Sequence, residues 1–205
     1  MDKTIKIWCL NTGKCIANMH NGNSALAGVD CMDQLPDGNL ITGSQDKEIK
    51  IWQTNDGRYV RNLTGHTGII TCLKVLYDND RVASGSSDKS IRIWNHTSGK
   101  CLRTINDAHS GSIVAFEVVH EHTNELLSCS TDKTIRKWNL LSGNCVQLFE
   151  EHANAISSIR ISFAGHLYSC SLDNSVKKWD LATGKCLETI GVKSAIEFPQ
   201  LVSMF

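Results

Sequence analysis

Residues 84–99 read SGSSDKSIRIWNHTSG and residues 128–143 read SCSTDKTIRKWNLLSG. In both, an Asp opens a run in which apolar and polar residues alternate up to a Trp, and a Gly follows five positions later. Alternation of period two is strand patterning, and Asp, Asn, Ser, Thr and Gly at its ends are turn formers. The phrase recurs as DKTIKIW, DKEIKIW and DNSVKKW. Its five tryptophans, Trp8, Trp52, Trp94, Trp138 and Trp179, are spaced by 44, 42, 44 and 41 residues, and an Asp stands six positions before each. A period near 43 residues marks a structural unit.

A second strand follows each glycine, as in KCLRTI and NCVQLF, and two further short runs lie between units, as in IITCLKV with RVASGSS and SIVAFEV with ELLSCST. Each unit thus supplies four antiparallel strands, a to d, with the Trp on strand c and a hairpin joining c to d. One such sheet cannot bury both faces alone, so units stack, and radial stacking leaves only short edges. The fold class is all-β, a β-propeller of four-stranded antiparallel blades. Residues 1–205 form one domain, in units of approximately 2–45, 46–87, 88–131, 132–172 and 173–205. The first unit has no strands a and b before Asp2, and the tail GVKSAIEFPQLVSMF places Pro199 where strand a should ladder. The expectation is four full blades and a partial fifth, as an open arc or a strained ring, in a piece of a longer propeller.

Twenty-one Lys and Arg balance twenty-one Asp and Glu, which removes the positive field of a nucleic-acid or anionic-membrane binder. No apolar run reaches the length of a membrane-spanning helix. The opening MDKTIKIW lacks the pattern of a secretory signal, and nine cysteines are an odd number. The expected compartment is the reducing cytoplasm, with the nucleus as an alternative, and the sequons at Asn62 and Asn95 are expected to carry no glycan.

The phrases quoted above, with the Gly65-His66 dipeptide, resemble the WD-repeat signature over residues 2 to 190. The resemblance implies a hydrogen-bonded set inside each blade: a His before strand a, a Ser or Thr on strand b, the Asp of the b–c turn and the Trp of strand c. Here these are His66, Ser84, Asp88 and Trp94; His109, Ser128, Asp132 and Trp138; and His152, Ser169, Asp173 and Trp179. The earlier unit offers Thr42, Asp46 and Trp52, with His20 displaced by the insertion HNGNSALAG. A Ser, a His and an Asp together suggest a hydrolase, but a catalytic triad occurs once per domain whereas this set recurs at every period. GxSxG, a phosphate loop and HExxH are all absent. No catalytic residue, cofactor or metal is expected.

Cys15, Cys101, Cys145 and Cys186 stand seven residues after their Trp, where the remaining unit has Tyr59, and Cys129 and Cys170 share one register on strand b. With no CxxC spacing they read as buried packing thiols. His120 and His122 read as a solvated turn. Lys6, Lys50, Arg92, Arg136 and Lys177 recur on strand c, their stems expected to cover the tryptophans and their heads to reach water.

Function is then expected where equivalent positions differ. The resemblance implies a face at the channel mouth, built by the d–a loops and b–c turns, on which such proteins grip partners. Just before the repeated Asp stand Gln45, Ser87, Thr131 and Leu172; at the start of strand a stand Thr71, Val114 and Ser157, with Ala27 as the counterpart in the irregular unit. The set is uncharged, without the arginines that phosphodegron-reading relatives place there. The expected role is a non-catalytic protein-protein interaction scaffold for protein or peptide partners, with no membrane, nucleic acid or small-molecule substrate. The alternative is a substrate-recognition or architectural subunit of a complex such as a ubiquitin ligase, bound through the rim.

Overall fold

The computed structural model describes residues 4–20, 28–76, 78, 80–119 and 124–192. These fold as strands without a helix. A two-stranded sheet comes first, β1 (Thr4–Trp8) with β2 (Cys15–His20). Four four-stranded antiparallel sheets follow. They are β3 (Val29–Gln34), β4 (Leu40–Ser44), β5 (Ile49–Trp52) and β6 (Tyr59–Leu63); β7 (Ile70–Val75), β8 (Arg81–Ser86), β9 (Ile91–Asn95) and β10 (Cys101–Ile105); β11 (Ile113–Val118), β12 (Glu125–Ser130), β13 (Thr134–Asn139) and β14 (Cys145–Glu150); and β15 (Ile156–Ile161), β16 (Leu167–Ser171), β17 (Ser175–Trp179) and β18 (Cys186–Gly191). Each is a blade in the order a-b-c-d, and β1–β2 is a c–d pair, so the expected four full blades and one partial blade are present.

The repeated turn residues make these sheets. The glycine five residues after each Trp has a left-handed backbone, with φ between 65° and 80° at Gly13, Gly57, Gly99, Gly143 and Gly184. Its N–H closes the c–d hairpin onto the residue after the Trp, as from Gly143 to the Asn139 carbonyl at 2.8 Å. At the b–c turn the residue after the Asp is also left-handed, as Lys47, Lys89, Lys133 and Asn174. The ladders contain regular irregularities. One residue of strand a is bulged between Val29 and Cys31, Ile70 and Cys72, Ile113 and Ala115, and Ile156 and Ser158. One residue of strand d is bulged opposite the step into Trp8, Trp52, Trp138 and Trp179. The b–c ladders β4–β5, β12–β13 and β16–β17 run without a shift.

The chain divides into two compact units, Met1–Asp88 with Arg92–Arg103, and Lys89–Ile91 with Thr104–Phe205. Within each, the Trp of one blade packs on its neighbour. In the first, Trp94 joins Leu35, Ile41, Ile49 and Leu63 of the preceding blade, and Trp52 packs on Ile5 and Met19. In the second, the Phe149 ring meets Trp179 edge to face at 5.7 Å, inside a cluster with Leu127, Ile135 and Ile159. Trp52, Trp94, Trp138 and Trp179 are almost fully buried, while Trp8 of the partial blade is 54% exposed.

Candidate functional site

Beneath the b–c turn of three blades the expected polar set is assembled. The Trp94 indole N–H donates to Ser84 Oγ (2.8 Å), His66 Nε2 meets the same oxygen (2.7 Å), and His66 Nδ1 meets Asp88 Oδ2 (2.8 Å). Trp138, Ser128, His109 and Asp132 repeat this at 2.8, 2.7 and 2.9 Å. Trp179, Ser169, His152 and Asp173 do so at 2.7, 2.7 and 2.8 Å. A proton on Nδ1 lets each ring donate to the carboxylate and accept from the serine, which satisfies every member. The carboxylate also accepts the backbone N–H after the histidine, from Thr67, Ser110 and Ala153. Each serine hydroxyl is buried and shared between an indole and an imidazole, an arrangement that joins segments far apart in sequence.

Burial dominates the titration of two histidines, holding His66 and His152 below the ordinary imidazole value although Asp88 and Asp173 pull the other way. Burial also raises Asp173, but hydrogen bonds from Ser175, His152 and the Ala153 N–H outweigh it and bring the carboxyl down to about 2. Asp132 is held well below the usual range by His109 and Thr134, again against burial.

The β3–β6 blade solves the same problem differently. Trp52 donates to Thr42 Oγ1 at 2.9 Å, but Asp46 accepts from the Lys50 ammonium at 2.5 Å and from the Glu48 N–H at 3.0 Å, and the same ammonium lies 3.4 Å from the Glu48 carboxylate. The side chain of His20 lies outside the described residues. Lys50 occupies the strand-c cation position, and both it and Lys177 are buried, so their heads do not reach water as expected. Lys50 turns inward to the Asp46 carboxylate, and Lys177 is taken up by Thr189 (2.9 Å) and Glu151 (3.7 Å). Arg92 does lie over its Trp, 5.9 Å from the Trp94 ring centroid.

The thiols also depart from expectation. Cys15, Cys101 and Cys145 are exposed and Cys186 is half-buried, because each opens the edge strand d, where its Sγ–H turns back to the carbonyl two residues on. Buried Cys129 and Cys170 match the expectation, their thiols pushed up by burial to about 12 and about 11. Each faces a small residue across the a–b ladder, Ala115 and Ser158, whereas in the other two full blades the thiols of Cys31 and Cys72 sit on strand a and face Gly43 and Gly85. His120 and His122 lie outside the described residues.

At the opposite end of each blade from the c–d hairpin, Gln45, Ser87, Thr131 and Leu172 are exposed, and their backbone N–H groups donate to Gly28, Ile69, Ser112 and Ala155 at the start of strand a. Two of them serve the turn itself: Ser87 Oγ and Thr131 Oγ1 each accept an N–H, from Ile69 and Ser112, at 2.9 Å. Thr71, Val114 and Ser157 are the bulged residues of strand a. The Thr71 and Ser157 hydroxyls donate to the strand-b carbonyls of Gly85 and Cys170, and Val114 packs half-buried on the core. In the β3–β6 blade the residue in this register is Asp30; Ala27 lies outside the described residues. The insertion before Gly28 shifts any count from the histidine, and the uncharged character expected for the set does not extend to this blade.

A second repeated hydroxyl escaped the reading of the repeat. Ser44, Ser86, Ser130 and Ser171 stand two residues before the Asp, are buried, and accept the Asp backbone N–H at 3.1 to 3.4 Å. The signal was an invariant Ser in TGSQD, SGSSD, SCSTD and SCSLD.

The family model for the WD domain, G-beta repeat, matches residues 13–53, 57–95, 99–139 and 143–180. The chain belongs to the WD-repeat family. Each match runs from a c–d hairpin to the Trp of the next blade, so one repeat spans two blades, which ties neighbouring sheets together covalently. WD-repeat proteins are typically non-catalytic and generally mediate protein–protein interaction. A comparison with curated proteins finds no match.

Proposed function

We propose that this WD-repeat chain is a non-catalytic scaffold that captures a protein or peptide partner through the turn ends of its blades, where Gln45, Ser87, Thr131, Leu172, Thr71, Val114 and Ser157 stand. One observation carries the reading: the backbone hydrogen bond from the b–c turn to strand a is the same in all four full blades, yet the side chains mounted on it differ. Ser87 and Thr131 are accounted for by the turn, so the weight falls on Leu172, an apolar residue 48% exposed, and on Gln45. The deciding experiment is Leu172→Glu combined with Thr71→Glu, with binding partners captured from the source cell and the melting temperature measured. The fold is expected to survive and capture to fall at least tenfold through desolvation and repulsion; undiminished capture refutes the reading.

A second reading, attachment through the rim, is favoured by a separate observation. Ile16, Val60, Leu102, Val146 and Leu187, each eight residues after a Trp on edge strand d, are between 41% and 57% exposed. Under that reading Leu102→Glu and Val146→Glu abolish capture while Leu172→Glu leaves it intact.

A further inference from the structure

Asp30 departs from its counterparts in a way the fold does not ask for. It is the bulged residue of β3, in register with Thr71, Val114 and Ser157. Thr71 and Ser157 donate their hydroxyls across the ladder to Gly85 O at 3.1 Å and Cys170 O at 3.2 Å. A carboxylate has no proton to donate, so Asp30 cannot make that bond. It stands exposed, and its Oδ1 accepts the Gln45 side-chain amide at 3.0 Å. Gly28 makes this possible: a Cβ there would meet Gln45 Nε2 at 3.3 Å, whereas the matching position carries Ile69 in the next blade. Asp30 and Gln45, with Gly28 beside them, thus make an oriented carboxylate in a register where the other full blades carry Thr71, Val114 and Ser157. Among the described residues no ion pair engages Asp30, while Asp46 on the same turn is taken up by Lys50 and Lys47 stands exposed beyond it.

We propose that Asp30 seats the cationic side chain of a lysine or arginine in a peptide partner, with the Gln45 amide holding the carboxylate in place. The proposal rests on the turn-end reading and names the chemistry of the partner there. A preoriented carboxylate favours a charged donor over a neutral one, and a planar guanidinium most of all.

The test uses the full chain and a phage-displayed library of random dodecapeptides. Wild type is expected to enrich sequences with Lys or Arg at one fixed position relative to the consensus, and Asp30→Thr to lose that preference about tenfold. The same variant separates binding from folding: Thr restores the hydroxyl found at Thr71 and Ser157, so its melting temperature should match or exceed that of wild type. Enrichment of neutral peptides alone by wild type would overturn the proposal and leave the turn-end reading standing. Retention of the cation preference by Asp30→Thr, or a clear loss of its stability, would also overturn it. Enrichment of no peptide at all would refute both readings.

Discussion

The β3–β6 and β11–β14 blades carry the same strands around different polar interiors. In the second, Asp132 is held by His109, by the N–H and the hydroxyl of Ser110 and by both donors of Thr134, five donors of which one is a ring. In the first, Asp46 has the Lys50 ammonium and the Glu48 N–H. The imidazole reaches two groups at once, coupling strand b to the turn, whereas the ammonium compensates charge and leaves Thr42 to the Trp52 indole and the Lys50 carbonyl. Among the described residues, the ionic filling concentrates the side-chain contribution to Asp46 in Lys50.

The largest expected effect tests that concentration. Lys50→Met leaves the Asp46 carboxylate without its counter-ion and with the Glu48 N–H alone, and should cost about 3 kcal/mol in denaturant unfolding, more than the roughly 2 kcal/mol expected for His109→Ala, whose Asp132 keeps its backbone and threonine donors. Adding Asp46→Asn to Lys50→Met should recover most of the loss; equal costs for the two single variants would erase the distinction between the blades.

Overpacking comes next. A Cβ on Gly43 would lie 2.4 Å from Ile70 Cγ2 and 2.6 Å from Cys31 Sγ, so Gly43→Ala should cost about 2 kcal/mol. Cys31→Ala in the same chain should recover part of that loss, since the blades with Cys129 and Cys170 place their thiol on strand b and a small residue on strand a.

Acid should discriminate the blades as well. His66 and His152 have folded values below the ordinary 6.5, so the neutral ring is the stable form in the fold. Their contribution is complete above pH 6.5 and is lost as the pH falls below it toward their folded values. Asp173, at about 2 against an ordinary 3.8, contributes above pH 3.8 and fails as pH drops toward 2. The melting temperature should therefore begin to fall below pH 6.5, and His152→Gln should flatten that first limb. A profile of wild type flat from pH 7 to pH 5 would contradict the buried neutral imidazoles.

The smallest effect is a gain. Ser158 Oγ is buried without a hydrogen-bond partner among the described residues, and the matching residue of the neighbouring blade is Ala115. Ser158→Ala should raise stability by about 1 kcal/mol in the same unfolding assay.

What could be read from the chain in advance was whatever repeats. The Trp spacing and the alternation before each Trp gave strand c and the hairpin glycines, and the resemblance to the WD-repeat signature implied the polar sets of Ser84, Ser128 and Ser169, because these are demanded identically by those blades. The departures are single-blade solutions: Lys50 under its turn depends on a space that only three-dimensional packing defines, and Asp30 stands where Ala27 was expected because the insertion after His20 shifts the count from the histidine. The exposure of Cys15, Cys101 and Cys145 was missed for a related reason, since sharing a register with Tyr59 indicates a common neighbour, the Trp opposite, and not burial.

The bulges also bear on how such a molecule grows. Strands a and d are the two margins of each full sheet, and in the β3–β6, β11–β14 and β15–β18 sheets both margins are interrupted while the b–c middle is regular. A sheet so finished offers an incoming strand a broken template, which discourages recruitment of a fifth strand or fusion with another sheet. Width is thereby fixed at four, and the free variable left to gene duplication is the number of blades. The same finish lets neighbouring blades within one compact unit pack through their faces, as Trp94 on the β3–β6 blade and Trp179 on the β11–β14 blade, without merging their edges among the described residues.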